Sequence, residues 1–215
     1  MPEKILIIGK NSKISKEFLK KIPKNKFILQ PTSQQWDMKN IDFDLNRISQ
    51  IKKFDKILLL HSVLSATPFL KRKFLDINSQ VSVNLLSVIK ICEIALSSNK
   101  KVKIIILGSE SATKGSFDII YALTKAAIHK YVEERKITYS KQQLICIAPS
   151  TIIDAGMTIR RKDKKNVIKS IVNNPKKRGV SSKEIANLIY SLFYEHTDYL
   201  TNIVIKIDGG KFARM

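Results

Sequence analysis

Three polar side chains near the middle of the chain have the types and spacing needed to move a proton to or from an oxygen atom. Tyr121 stands four residues before Lys125, so both side chains share one face of a helix, one turn apart. A phenol titrates near pH ~10, and a neighbouring ammonium group favours the phenolate and lowers that pKa. Ser109 precedes them and supplies a hydroxyl that can donate to the same substrate oxygen. The spacing predicts acid–base chemistry at a carbonyl or alcohol, although Tyr-x-x-x-Lys pairs also arise by chance in helices.

Elements on either side of this group could hold it at one edge of a sheet. The apolar run 104–107 leads directly into Gly-Ser, and another apolar strand, 144–149, follows the helix. The order of strand, Gly-Ser, short loop, Tyr-Ala-Leu-Thr-Lys and strand resembles the short-chain dehydrogenase/reductase family. The resemblance implies that Ser109, Tyr121 and Lys125 assist hydride transfer between a nicotinamide cofactor and a carbonyl or alcohol.

The start of the chain reads as strand, turn and helix. Residues 4–8 form a β-branched apolar run followed by Gly9, where backbone N–H groups at the start of the next helix can hold a pyrophosphate. The family pattern here is Thr-Gly-x-x-x-Gly-x-Gly, and this chain keeps only its first glycine, with Lys13 and Ser15 in place of the others. Two outcomes follow. Either Lys10 or Lys13 contacts cofactor phosphates, or the site binds nicotinamide cofactor weakly or not at all.

Further cofactor contacts are expected at the ends of the other strands. Residues 30–33 lack the acidic residue that would bind the ribose hydroxyl of NAD, so NADP(H) is slightly favoured over NAD(H). Asp37 resembles a residue that meets the adenine amino group, with a turn or helix cap as the alternative. His61 lies where the family has Asn-Asn-Ala-Gly, with a structural role as the alternative. The complete set of expected cofactor-binding residues is Gly9, Lys10, Ser12, Lys13, Ile14, Asp37, Met38, His61, Tyr121, Lys125, Pro149, Ser150 and Ile152.

Asn84 is the fourth candidate for catalysis. It lies in a stretch, 75–96, whose apolar residues recur at helical spacing. It matches the asparagine that, in many relatives, interrupts this helix and binds a water linking the lysine to solvent. An amide in an apolar helical stretch needs hydrogen-bond partners. The resemblance therefore implies a proton relay, and a surface position is the alternative.

Composition restricts the class of protein. A chain of 215 residues with 44% hydrophobic residues fits one domain with one core. The sequence has no uninterrupted apolar run near the roughly 18 residues of a membrane helix and no leader-like start. We therefore expect a soluble cytoplasmic protein without membrane contacts. Cys92 and Cys146 lie in apolar stretches without metal-ligand spacing, which predicts reduced core residues and no metal site.

The formal net charge of +21 raises nucleic acid or an anionic ligand as a partner. The lysines are scattered along the chain, and the densest basic cluster, 160–165, has no interleaved aromatic residues to stack on bases. We therefore expect no nucleic-acid partner. A small anionic substrate or cofactor is compatible with the charge.

The resulting prediction is a single domain over 1–215, with a Rossmann-like, doubly wound α/β fold, a mainly parallel sheet and helices on both faces. The resemblance implies NAD(P)-dependent reduction of a small carbonyl compound or oxidation of an alcohol, and a homodimer or homotetramer. Residues 154–178 are expected to cover the substrate, with Met157, Arg160 and Arg161 meeting an apolar or anionic group. A charged surface loop is the alternative for this segment. The rival function is a cofactor-deficient relative that acts as a binding or scaffold protein.

Overall fold

A parallel β-sheet forms the centre of the fold. The computed structural model describes residues 2–160, 164–195 and 197–212. Its strands within those residues are β1 (Lys4–Ile8), β2 (Phe27–Leu29), β3 (Lys56–Leu59), β4 (Lys103–Leu107), β5 (Gln143–Pro149) and β6 (Ile203–Ile207). They pair in the order β2-β1-β3-β4-β5-β6, and every pair is parallel. Because β2 lies on one side of β1 and β3 on the other, the direction of winding reverses between β1 and β3.

Buried rows of aliphatic side chains run across the sheet and explain why these segments are strands. β1, β3, β4 and β5 consist almost wholly of buried residues, as expected for parallel strands covered on both faces. Neighbouring residues on a strand point to opposite faces, so the register of pairing sorts consecutive residues into two cores. One row is Ile7, Leu58, Ile105 and Ile145, and the next row, on the other face, is Ile8, Leu59, Ile106 and Cys146.

Helices cover both faces of the sheet. They are α1 (Lys13–Leu19), α2 (Leu45–Ile51), α3 (Phe74–Val81), α4 (Ser87–Ser98), α5 (Ser111–Lys114), α6 (Ile119–Glu134), α7 (Gly156–Ile159), α8 (Lys164–Val172) and α9 (Ser182–Tyr194). On one face α1 and α9 pack together, with the rings of Phe18 and Phe193 5.9 Å apart. On the other face α4 and α6 contribute Ile91 and Ile128 to the core. The predicted doubly wound architecture is confirmed.

A continuous helical segment, Phe74–Ser98, joins α3 to α4 through a π-helical turn at Ser82–Leu86. By length and mean hydropathy this helix could cross a membrane, although no uninterrupted apolar run in the sequence indicates it. Core helices of sheet proteins meet the same test, and here Val88, Ile91 and Ala95 are buried in the core on one face of the sheet. The segment is therefore weak evidence for a membrane.

Candidate active site

A cleft of about 1000 Å³ opens along the carboxyl ends of the strands. Ligands of doubly wound folds bind at this edge of the sheet, near the point where the winding reverses. All thirteen residues expected to bind a cofactor line the cleft, and Ser109 lines it with them. The residues predicted to bind a cofactor therefore lie at the edge of the sheet where ligands of this fold are expected to bind.

Ser109, Tyr121 and Lys125 come together because the end of β4 lies against the first turns of α6. Asp118 caps the start of α6, where its carboxylate accepts the backbone N–H of Tyr121 at 3.3 Å. Tyr121 and Lys125 lie one turn apart, with the ammonium nitrogen 5.7 Å from the centre of the phenol ring. The hydroxyl of Ser109 lies close enough to the phenol of Tyr121 to lower its pKa, and Lys125 donates to the carbonyl of Leu107 at 2.8 Å. The three groups therefore meet at one point of the cleft.

Burial, not the neighbouring ammonium, dominates the acidity of Tyr121. Burial raises the pKa of its phenol, the hydrogen bond with Ser109 lowers it, and the charge of Asp118 raises it. The expected net lowering of this pKa was wrong, because burial outweighs the interactions that lower it. Burial also lowers the pKa of Lys125 from 10.5 to about 8. Near pH 7 the site therefore holds a neutral phenol beside an ammonium ion.

Asn84 holds the loop that follows β3. It is fully buried in the π-helical turn, so the alternative of a surface position was wrong. Its Oδ1 accepts from the N–H of Val63 at 2.8 Å and from the hydroxyl of Ser62 at 3.1 Å. Its Nδ2 donates to the carbonyl of Val63 at 2.8 Å and to the hydroxyl of Thr124 at 3.4 Å. These four bonds use the whole capacity of the amide. The helix is interrupted here as the resemblance implied, but the side chain has nothing left for the expected relay water.

Gly9 forms a turn that only glycine fits. Its φ is 102°, in the region that side chains disfavour. A Cβ atom at this position would meet backbone atoms of Leu60 and His61 at 3.1 Å. Steric crowding therefore explains why a side chain is disfavoured at Gly9, the single glycine that remains of the family pattern.

The two residues that replace the other glycines leave the cleft open. Ser15 is fully buried, and its hydroxyl accepts a hydrogen bond from the Gln30 amide at 2.9 Å. Lys13 extends to Asp154, with the ammonium nitrogen 3.1 Å from a carboxylate oxygen, and its side chain is half exposed. Ser15 is accommodated by its hydrogen bond with Gln30, and the side chain of Lys13 is directed to its ion pair with Asp154. Neither side chain therefore fills the cleft.

His61 borders the cleft as a neutral imidazole whose Nε2 donates a hydrogen bond. Its Nε2 lies 3.1 Å from the hydroxyl oxygen of Ser87, and that hydroxyl donates its single hydrogen to the carbonyl of Val83 at 3.0 Å. Nε2 therefore carries the proton, and Nδ1 holds a lone pair that is buried and has no hydrogen-bond partner in the described part of the chain. Burial and the charge of Lys125 lower the pKa of His61 to about 3. His61 is not an acid or base near neutral pH.

The end of the cleft next to β2 contains both a turn and an aromatic side chain. Asp37 is exposed and accepts the backbone N–H of Lys39 at 2.9 Å, which is the turn role considered as its alternative. Trp36, the single tryptophan of the chain, and Met38 are buried and line the cleft beside it. Ligand bound at this end would therefore lie close to Trp36.

Two buried carboxylates near the catalytic candidates were not anticipated. Glu110 forms ion pairs with Lys114 and with Lys211, the latter at 3.3 Å. Asp118 pairs with Arg72 at 3.3 Å, and both side chains are almost fully buried. Asp118 could have been found from its place before an apolar helix, since aspartate is a preferred helix cap. Nothing in the sequence around Glu110 indicates that it is buried.

The segment 154–178, expected to cover the substrate, contributes to the wall of the cleft through α7 and its surroundings. Met157 and Arg160 line the cleft. The guanidinium of Arg160 lies against Gly156, where a Cβ atom would come within 3.1 Å of it. Arg161 lies outside the described residues.

The cleft has the size and charge to fit a dinucleotide. Binding sites for cofactors commonly measure about 300–1000 Å³. Lys10, Lys13 and Lys39 line the cleft and could meet phosphates, while Ser109 and Tyr121 lie at the end of β4. Within the described residues no group of three or more His, Cys, Asp or Glu side chains could hold a metal ion.

Comparison with known proteins places the chain in a family. A family model described as enoyl-(acyl carrier protein) reductase matches residues 45–211. No curated protein matches the sequence. Solved structures share its fold over nearly the whole chain, at identities too low to show more than the fold.

Three of these structures illustrate the likeness. A short-chain dehydrogenase/reductase described as glucose/ribitol dehydrogenase, from Brucella melitensis, is 19% identical over 99% of this chain and 97% of its own, with a TM-score of 0.81. A short chain dehydrogenase family protein from Francisella tularensis is 18% identical over the full length of both chains, with a TM-score of 0.81. ElxO with NADP bound is 19% identical over the full length of both chains, with a TM-score of 0.80. By its match to the family model over most of its length, the chain belongs to the short-chain dehydrogenase/reductase family of oxidoreductases.

Proposed function

We propose that the protein is an NADP(H)-dependent reductase of a small carbonyl compound. The observation that carries the proposal is the meeting of Ser109, Tyr121 and Lys125 in the cleft of a chain of this family. The raised pKa of Tyr121 favours reduction over oxidation as the direction of the reaction. A neutral phenol is ready to donate the proton that a carbonyl oxygen needs during reduction, whereas alcohol oxidation would need the phenolate.

Each of the three residues has a separate task in the proposed reaction. The reduced nicotinamide, when bound, supplies the hydride. Tyr121 donates its phenolic proton to the carbonyl oxygen as that oxygen gains negative charge. Ser109 orients the same oxygen with its hydroxyl, which already contacts the phenol. Lys125, held by the carbonyl of Leu107, stabilises the phenolate that remains after the proton has left.

The preference for NADP(H) over NAD(H) rests on charge near the end of β2. The stretch 30–33 carries no carboxylate that would accept a ribose hydroxyl or repel a phosphate at that position. Lys10 and Lys39 line the cleft and could pair with a 2′-phosphate. Titration with NADPH and NADH measures the preference, and a lower Kd for NADH would contradict it.

The substrate proposed for the site is a small carbonyl compound, with or without an anionic group. Phe117 and Met157 offer apolar surface at the cleft, and Arg160 adds a cation to the same region. The proposed quaternary structure is a homodimer or homotetramer. It would cover apolar side chains that α3, the π-helical turn and α6 leave exposed, namely Phe74, Leu75, Leu86, Ile119 and Leu123.

Replacement of Tyr121 by phenylalanine tests the proposal. The variant should lose turnover by about 10²–10⁴-fold with NADPH and a panel of aldehydes and ketones, because its proton donor is gone. Its Kd for NADPH, followed through the fluorescence of Trp36, should stay close to that of the wild type. The fully exposed Tyr199, replaced in the same way, is the matched control. Turnover that survives in Tyr121→Phe would rule out the assigned role.

A second function, as a scaffold that has lost its cofactor, is favoured by the replaced glycines and by the ion pair of Lys13 with Asp154. The same titration separates the two. Saturable binding of NADPH at micromolar concentration speaks against the scaffold. A wild-type protein that binds neither NADPH nor NADH would support it and defeat the reductase.

A further inference from the structure

An ion pair connects the glycine turn to the root of the segment 154–178. Lys13, the first residue of α1, lines the cleft, and its ammonium nitrogen lies 3.1 Å from Oδ2 of Asp154. Asp154 follows β5, and the residues directly after it, Ala155 and Gly156, line the cleft as well. The pair therefore lies where the chain that would carry a diphosphate meets the chain that would cover a substrate.

The two partners of this pair differ in how firmly they are held. Oδ1 of Asp154 accepts hydrogen bonds from both the N–H and the hydroxyl of Ser182, each at 2.8 Å. These bonds fix the carboxylate at the start of α9. Lys13 has a long stem with several rotatable bonds, and its side chain is 50% exposed. Lys13 is thus the partner that can move.

The pair is also weak enough to be exchanged. Ion pairs between partly exposed side chains contribute little because water screens them. A diphosphate offers more charge and more acceptor oxygens than one carboxylate, so it competes well for an ammonium group. An anion that enters the cleft beside Lys13 can therefore displace the carboxylate of Asp154 from it.

We propose that Asp154 competes with the diphosphate of the dinucleotide for Lys13, so that cofactor binding transfers Lys13 from the carboxylate to the phosphates. The inference rests on the proposed function and extends it, because it makes Asp154 a positioning residue that acts through Lys13. Binding of cofactor then removes one tether from the root of the segment 154–178. Lys13, which replaces a glycine of the family pattern, would then bind the phosphates in competition with the carboxylate of Asp154.

A double-mutant cycle tests the inference by binding alone. Asp154→Asn removes the charge and keeps an oxygen that can accept from Ser182. Its Kd for NADPH, read from the fluorescence of Trp36, should fall about two- to fivefold. Lys13→Met should bind NADPH more weakly than the wild type, and in that background Asp154→Asn should change nothing. Glu134→Gln, the same change of charge at an exposed site near the end of α6, is the control and should leave the Kd unaltered.

A second ligand tests whether the effect of Asp154→Asn on affinity requires the diphosphate. Adenosine 2′-monophosphate lacks that group, so its affinity, measured by competition with NADPH, should be equal in the wild type and in Asp154→Asn. An unchanged or higher Kd for NADPH in Asp154→Asn would overturn the inference, as would a tightening that persists without the charge of Lys13. If the wild type binds NADPH and only this tightening is missing, the inference fails and the proposed function stands. If neither the wild type nor Asp154→Asn binds NADPH, both fail.

Discussion

Replacing Lys125 with methionine should make the fold more stable while it destroys the site. Lys125 is 3% exposed, and its ammonium is held by a backbone carbonyl. Burial lowers its pKa from 10.5 to about 8. A tenfold change in the proton-binding constant corresponds to ~1.4 kcal/mol, so keeping this residue charged in the folded state costs roughly 3 kcal/mol at pH 7. Methionine retains the apolar stem and has no charge to bury.

The dependence on pH identifies the cause. Because the folded-state pKa lies below the unfolded one, the charge destabilises the fold below pH ~8, and the wild type regains that stability as the pH rises from about 8 to 10.5. Lys125→Met lacks this rise. The variant should therefore exceed the wild type by roughly 3 kcal/mol at pH 7 and by about 1 kcal/mol at pH 10.

Urea unfolding at several pH values, analysed by linear extrapolation, gives the required free energies of unfolding. Lys130→Met is the matched control, because Lys130 lies on the same helix with its side chain 70% exposed. Its difference from the wild type should not depend on pH in this window. If Lys125→Met is less stable than the wild type at pH 7, or if its advantage is the same at pH 10, the assigned burial cost is refuted.

Three further predictions concern groups around the site. Gly108→Ala should destabilise the fold by about 1–3 kcal/mol and lower its Tm, because a Cβ atom there would lie 2.5 Å from the sulfur of Cys146; an unaltered Tm would contradict the crowding. Asn84→Ala should leave the N–H of Val63 without its partner and accelerate hydrogen exchange at that amide, by an amount corresponding to about 1 kcal/mol; exchange as slow as in the wild type would contradict this. His61 should stay neutral with Nε2 protonated from about pH 5 to 8 in nitrogen-15 NMR, and a titration in that range would contradict its pKa of about 3.

The sheet could be predicted from the sequence because its central strands are covered on both faces. Such strands appear as uninterrupted apolar runs, and the run 144–149 predicted one strand to within a residue of Gln143–Pro149. The pairing of Tyr121 with Lys125 could be predicted for a similar reason, since residues four apart on a helix share a face whatever surrounds them. Both inferences depend on local periodicity.

The electrostatics of the site could not be predicted in the same way. The direction of the Lys125 ammonium depends on the carbonyl of Leu107, which lies 18 residues earlier in the chain and reaches it only through the fold. The Asn84 amide is likewise saturated by groups 21 and 40 residues away. Spacing along a helix says which side chains are neighbours. It does not say which distant acceptor competes for them.

A buried ammonium that destabilises the resting fold has a clear use if the reaction runs as a reduction. Before proton transfer the phenol of Tyr121 is neutral, so the charge of Lys125 has no negative partner there and bears the full cost of burial. Transfer of the proton leaves a phenolate next to that ammonium, in surroundings of low dielectric constant where opposite charges attract strongly. The interaction thus exists after the transfer and not before it, which is the difference that lowers a barrier. In the oxidative direction the same attraction would hold the phenolate in the starting state, whereas burial raises the pKa of Tyr121 and favours the neutral phenol in the resting site.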